Sequence, residues 1–371
     1  MSLSSIAERL GQSLVNAQAF VGFDGYVDRI QQVIKTRSPT GSSGFEHIGQ
    51  FADFIQTLAG RSGQIEIVTH AKKIGGNGPI LANALATLGM KTRCAGPLSD
   101  PIFDQMSPEC ERISLGLPAT THALEFPDGK VMLSEVAPFD ILNWQHLVDQ
   151  IGISELKRNY EESRVIAFVD WANLPHANDL WRGYFENIVR TAPEKTDRYF
   201  LFDLCDPTKR TADEIGECLN IVAAYAPYGN LTLGMNENEA RRIYLALNGH
   251  TPSDTLRLSQ TPDLESVGRF ILEASQIPSI LIHPTESAML FTAEGVVHQK
   301  GRLVPNPKVL TGAGDNLNAG YCWSLLNNFG TEDCLLLSMA ASGAYIQNGY
   351  SPTNDDLIAY IRQWKSEIQI R

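Results

Sequence analysis

Apolar positions along the chain fall into two alternating rhythms. Runs rich in β-branched and aromatic residues recur at 19–30 (AFVGFDGYVDRI), 65–70 (IEIVTH), 164–170 (RVIAFVD), 198–204 (RYFLFDL), 231–236 (LTLGMN) and 279–283 (SILIH). Runs of this composition predict strands. Helical spacing follows several of them. Ile80, Leu81, Ala84, Leu85 and Leu88 share one face within 80–88, and 211–225 and 236–247 have the same period. Asn316 to Asn328 reads as a further helix, and 334–346 (CLLLSMAASGAYI) as a buried one. Strands alternating with helices of this length predict βαβ units. The expected fold is α/β, three layers deep, with a central mostly parallel sheet covered by helices on both faces.

One region breaks the rhythm. THALEFPDGKVMLSE (121–135) is two strand-like runs joined by Pro127-Asp128-Gly129, a hairpin signal. TRSPTGSSG (36–44) reads as a loop. Segments near 24–45 and 118–136 are therefore expected to form a small β-sheet lid outside the main sheet. No internal repeat or domain boundary is evident, so 1–371 reads as one domain carrying a lid.

Composition narrows the partners. The chain has 371 residues, 43% apolar and 19% charged, with a formal net charge of −12. That balance argues against nucleic acid or an anionic membrane as a partner, since both reward clustered Lys and Arg. No apolar run approaches the ~18 residues that would span a bilayer, and the first 20 residues lack a basic-then-apolar leader pattern. The six cysteines (94, 110, 205, 218, 322 and 334) show no CxxC spacing. Buried thiols in a cytoplasmic protein are the expectation.

Candidate chemistry begins at VLTGAGDNLNAG (309–320). Backbone N–H groups at a helix N-terminus point outward, with the positive end of the helix dipole behind them. Gly312, Ala313 and Gly314 present no bulky side chain there, so an anion can approach. Asp315 either caps the helix or accepts a proton from an attacking hydroxyl. GGNGPILANALATLG (75–89) is a second glycine-rich loop running into a helix. It has neither GxGxxG spacing nor the GK[ST] of a P-loop, which argues against a dinucleotide-binding dehydrogenase. Its backbone can approach a small polar molecule, and Asn77 offers both donor and acceptor. If FDGYVDRI (23–30) is one strand, Asp24, Tyr26 and Asp28 share a face, suited either to sugar hydroxyls or to solvent. In NENE (236–239), Asn236 and Glu239 stand i,i+3 at a helix start. They cap the helix or hold the waters of Mg²⁺. Three further sets follow strands: Asp203, Asp206, Lys209 and Arg210; Asp170, Asn173 and His176; and His283. Each reads as turn and packing chemistry or as lining of a site. Trp171 and Trp181 read as packing.

Two glycine motifs in this order, with Asn-x-x-Glu between them, resemble the ribokinase-like (PfkB) family of carbohydrate kinases. The resemblance covers nearly the whole chain. It implies an ATP- and Mg²⁺-dependent transfer of the γ-phosphoryl group to a hydroxyl of a sugar or polyol. Asp315 would be the base, and Gly312, Ala313 and Gly314 the anion hole. Asp24 and Asp28, with Gly75, Gly76 and Asn77, would bind the acceptor. Asn236 and Glu239 would place Mg²⁺ through water, and His283 and Thr285 would stand at the nucleotide phosphates. A homodimer through the lid would fit the family. Four departures from its pattern stand out. Asn77 stands for a Lys or similar residue, Ile80 for an Asn, Val309-Leu310 for Asp-Thr, and His283 and Thr285 for the Thr and Gly of a Thr-x-Gly loop. These changes keep two rivals open: a nucleoside kinase of the same superfamily, and an inactive ligand-binding or regulatory protein on the same fold.

Overall fold

The computed structural model describes residues 3–10, 17–193 and 197–370. Its strands are β1 (Gln18–Gly22), β2 (Tyr26–Ser38), β3 (Gly41–Gly44), β4 (Glu66–Gly75), β5 (Lys91–Gly96), β6 (Cys110–Ser114), β7 (Ala119–Phe126), β8 (Gly129–Glu135), β9 (Ser163–Phe168), β10 (Tyr199–Asp203), β11 (Asn230–Asn236), β12 (Ser279–His283), β13 (Ser287–Thr292) and β14 (Gly295–Lys300). Nine form the main sheet in the order β14-β13-β12-β11-β10-β9-β1-β5-β6. From β12 to β6 every pairing is parallel, and β13 and β14 add an antiparallel edge.

Burial on both sides explains why these strands read as continuous apolar runs. Ala19, Val21, Val165, Ala167, Leu201 and Leu281 face one core, shared with the helices Asn77–Thr87, Ala313–Leu326 and Thr331–Asn348. Their neighbours Phe20, Ile166, Phe168, Phe200, Phe202, Ile280 and Ile282 face the other. There they pack with Trp181, Tyr184 and Ile243 from the helices Ala177–Asn187 and Glu237–Leu247. The expected three-layer αβα arrangement is thus present, and the C-terminal ends of the parallel strands open on one edge, where ligands bind in such sheets.

The lid is a second sheet. β2 is its centre, flanked by β4 over residues 26–34 on one side and by β7 over 26–31 on the other. β8 pairs outside β7 through the expected hairpin, and β3 pairs with the far end of β2. Three readings need correction. Residues 19–30 are two strands: the chain leaves the main sheet after Gly22, turns through Phe23-Asp24-Gly25, and enters the lid at Tyr26. The run at 65–70 is a strand from residue 66 onward, but it belongs to β4, a lid strand. Residues 36–44 are the tip of a β2–β3 hairpin, not a loop. The tip is solvated on both faces, so it lacks the apolar alternation that marks a strand. Its backbone ladder and a 2.6 Å Thr36–Ser43 hydroxyl contact hold it.

Candidate active site

Gly312 has φ 90°, a left-handed conformation that favours glycine, and a Cβ there would lie 2.8 Å from Tyr345 Oη. The Tyr345 hydroxyl donates to the Thr311 carbonyl at 2.8 Å and fixes the turn. The helix Ala313–Leu326 starts from this turn, so the N–H groups of Gly314 and Asp315 lack carbonyls one turn behind them. Gly314 packs under the His283 ring; a Cβ there would lie 3.1 Å from His283 Cε1.

Asp315 is 4% exposed. Its Oδ1 accepts from Asn77 Nδ2 at 3.0 Å, which joins the two glycine motifs. Other buried acids surround it. Asp203, at the end of β10, accepts from Asn318 Nδ2 at 2.8 Å. Asp170, in a left-handed conformation after β9, accepts from Asn173 Nδ2 at 2.6 Å and Tyr26 Oη at 3.3 Å. Burial, then repulsion from Asp203, pushes the Asp315 carboxyl well above the usual carboxylate range, and the Asn77 hydrogen bond opposes this. A carboxyl raised in this way is a stronger proton acceptor in its ionised form.

The GGNG loop is shaped by two acids. Asp24 is fully buried and its carboxylate accepts from the backbone N–H groups of Asn77 and Gly78, at 2.8 and 2.7 Å. It therefore anchors the N-terminus of the helix Asn77–Thr87. The structure places it behind the loop, outside the cavity beside Asp315. Gly76, at φ 93°, leaves room for Asp24; a Cβ there would lie 2.6 Å from its Oδ2. Gly75 does the same for Asp28, whose Cγ a Cβ would approach to 2.5 Å. Asp28 does face the cavity. It forms a cross-strand row with Thr121 of β7 and Ser134 of β8, and Thr121 and Ser134 hydroxyls lie 3.1 Å apart.

Two cavities meet at the start of the helix Ala313–Leu326. The smaller, about 180 Å³, is lined by Tyr26, Asp28, Gly76, Asn77, Asn173 and Asp315, and by Ile80, Thr311, Gly312, Thr121, Met132 and Ser134. The larger, about 600 Å³, includes Asn236, Arg241, His283, Thr285, Ala313 and Gly314. A third, of about 330 Å³, shares Thr285, Met339, Ser342 and Ile346 with it and extends the groove past Gly301 to Val304. Gly312 and Asp315 thus border the smaller cavity, and Ala313 and Gly314 the larger one, across one helical turn.

Asn236 and Glu239 form a complete capping box: Asn236 N–H donates to Glu239 Oε2 at 2.8 Å, and Glu239 N–H donates to Asn236 Oδ1 at 3.0 Å. Capping accounts for their spacing. Glu239 is also buried beside Asp203 and Asp206, and burial followed by the Asp203 charge pushes its carboxyl up. Glu239 stays behind the wall of the larger cavity, where Asn236 and Glu237 present their polar groups. Among the described residues no three His, Cys, Asp or Glu gather as a metal cage. The fit is to Mg²⁺ that keeps its waters and arrives on substrate phosphates. His283 is held below its usual range by burial, and its Nε2 is buried without a hydrogen-bond partner on the wall of the larger cavity.

Some candidates fall elsewhere. Asp206 caps a short turn, accepting from Thr208 N–H at 3.0 Å. Arg210 lies over the Trp171 ring and donates to the Trp171 and Ala172 carbonyls. His176 contacts the Asp140 carbonyl. Trp171 and Trp181 pack in the core. Sequence reasoning missed Thr121, Met132, Ser134 and Thr311. Period-two alternation in the hairpin was the available signal, since Met132 and Ser134 share a face; which face meets the site depends on how the lid folds over.

The sequence model of a family described as prokaryotic ketohexokinase matches residues 1–364. The chain belongs to this family. A ketohexokinase from Haloferax volcanii is 26% identical over 366 residues, covering 96% of this chain and 94% of that protein. Among solved structures, ribokinase from Thermotoga maritima superposes with a TM-score of 0.63 at 14% identity, covering 94% of this chain and all of that one. A phosphofructokinase-2 variant from Escherichia coli gives 0.61 at 13% identity, with coverage of 94% and 100%. A Methanocaldococcus jannaschii nucleoside kinase gives 0.61 at 11%, with the same coverages. These neighbours share the ribokinase fold. The ketohexokinase-family member is an ATP-dependent sugar kinase, as the paired glycine motifs implied. No helix among the described residues is long and apolar enough to cross a membrane.

Proposed function

We propose that this kinase phosphorylates a hydroxyl of a ketohexose, with Asp315 as the base. The observation that carries the reading is the partition at one helical turn: Asp315 faces the small cavity, while Ala313 and Gly314 face the large one. A hydroxyl in the small cavity gives its proton to an Asp315 oxygen as its own oxygen bonds the γ-phosphorus. The bond from that phosphorus to the ADP oxygen breaks in line. The helix N-terminus and the Gly312–Gly314 turn receive the charge on the transferring group. Asp28, Asn77, Asn173, Thr121 and Ser134 supply hydrogen bonds for sugar hydroxyls; Gly76 keeps its backbone accessible, and Gly75 acts by making room for Asp28. Asp24 acts by fixing that loop. His283 and Thr285 contact the nucleotide phosphates, and the base extends toward Met339 and Val304. Asn236 and Glu239 would hold Mg²⁺ through water, and the ion would offset triphosphate charge.

The small cavity favours a monosaccharide over a nucleoside, having room for about six waters at ~30 Å³ each. Retention of Asp315 and its hydrogen bond to Asn77 favours an enzyme over an inactive binder. Six free cysteines fit a cytoplasmic setting, and exposed Ile67 and Leu133 on the lid fit a homodimer. The test is ADP release with Mg²⁺-ATP against ketohexoses, aldohexoses, pentoses, polyols and nucleosides, with the product located by phosphorus NMR. Ketohexose should give the highest kcat/KM. Turnover of nucleosides alone, or of nothing across the panel, would overturn the proposal.

A further inference from the structure

Lys130, Met132 and Ser134 alternate onto one face of β8. Met132 and Ser134 line the acceptor cavity, so Lys130 belongs to the face that looks onto the site. Its Nζ donates to Thr311 Oγ1 at 3.1 Å, across 181 positions of sequence. Thr311 directly precedes Gly312. The Lys130 charge also reaches Asp28 on the other side, where with Lys73 it partly offsets the upward push of burial. The ammonium therefore hangs from the lid above the junction of the two cavities.

The charge inventory makes this placement informative. The groups buried around Asp315 are acids: Asp24, Asp170 and Asp203. Among the described residues, no Lys or Arg lines the acceptor cavity, Arg241 alone lines the larger one, and Lys300 and Arg302 line only its extension past Gly301, away from the Gly312–Gly314 turn. The Arg241 guanidinium is already committed to Glu237 at 2.8 Å, Thr261 Oγ1 at 2.6 Å and the Pro262 carbonyl at 2.8 Å. Phosphoryl transfer adds negative charge spread over three equatorial oxygens. A lysine ammonium carries three donors, and the neutral Thr311 hydroxyl takes one.

We propose that Lys130 is the phosphate-contacting cation of the closed site. With sugar and nucleotide bound, its ammonium leaves Thr311 Oγ1 and donates to an oxygen of the transferring phosphoryl group. It stays protonated throughout, so Asp315 alone takes the proton. Because the cation rides on the lid, full stabilisation of the transferring group waits until the lid covers the sugar. Water in an open site does not receive that help, which restrains ATP hydrolysis without sugar.

The proposal rests on the kinase reading above, so wild-type turnover on the sugar panel is measured first, and failure there counts against that reading alone. Lys130→Met and Lys130→Arg are then compared with wild type on the sugar it phosphorylates best. Lys130→Met should lower kcat by about 10²–10³-fold, the scale for losing one donor to a developing charge, with the sugar KM within about threefold. Lys130→Arg should recover at least about tenfold of that loss, since it restores the charge. A Lys130→Met kcat within about threefold of wild type would overturn the proposal. So would a change confined to the sugar KM, which marks a simple lid latch, or an Arg variant no better than Met.

Discussion

Asp315→Asn separates catalysis from folding in a way the structure makes quantitative. Asn keeps the shape of the side chain and an Oδ1 that can still accept from Asn77 Nδ2 at 3.0 Å. No cavity opens and no buried donor loses its partner, so the usual penalties are absent. What disappears is one negative charge beside Asp203, Asp24 and Asp170, all of which push the Asp315 carboxyl upward. Stability in slightly alkaline buffer should therefore hold or rise. Catalysis should fall by about 10²–10⁴-fold in kcat, the scale for losing a general base, or about 2.7–5.4 kcal/mol at 1.36 kcal/mol per tenfold. Coupled ADP-release kinetics give the first quantity, and thermal unfolding at pH 5 and pH 8 the second. The variant's Tm should match wild type at pH 5 and equal or exceed it at pH 8. A kcat within threefold of wild type refutes Asp315 as the base. A variant clearly less stable than wild type at pH 8 refutes the electrostatic account of the cluster.

The same cluster sets how stability depends on pH. Asp24, Asp170, Glu239 and Asp315 all have folded-state pKa values raised chiefly by burial. The folded protein then holds protons that the unfolded chain releases above about pH 4, so stability falls as pH climbs from there through the raised values. The Tm of ligand-free protein should drop between pH 5 and pH 8, and a rise would contradict this. Gly75→Ala drives a Cβ to 2.5 Å from the Asp28 Cγ, so Asp28 must swing away. The sugar KM should rise about tenfold or more, equivalent to about 1.4 kcal/mol, measurable in the same kinetics. Asn236→Ala removes the cap on Glu239 N–H, costing about 1 kcal/mol in urea unfolding. It should also raise the KM for Mg²⁺-ATP at least severalfold, and an unchanged value would leave these residues as a cap only.

Local pattern carried much of this protein. Apolar runs with helical stretches between them determined a layered α/β fold, because strands covered on both faces must be apolar on both. The hairpin at 121–135 was legible from Pro127-Asp128-Gly129 and its flanking alternation. Asp315 and the Gly312–Gly314 turn were legible as a helix start open to an anion. Asn236 and Glu239 were legible as a capping box because the i,i+3 spacing is itself the geometry of the cap.

Other features depended on the whole chain. Residues 19–30 look like one strand, since the lid and the main sheet demand the same composition; the crossing between sheets at Phe23–Gly25 is a tertiary event. Asp24 reads in sequence as an acid for sugar hydroxyls and becomes a buried anchor when Asn77 and Gly78, more than fifty positions later, turn their N–H groups onto it. The row Asp28–Thr121–Ser134 exists through strand register, and Lys130 meets Thr311 only because the lid folds over the helix start. Sequence fixes what each segment prefers within a few residues, through periodicity, caps and turns. Charge burial, register and the meeting of two cavities at Asp315 arise between distant segments, and only packing brings those together.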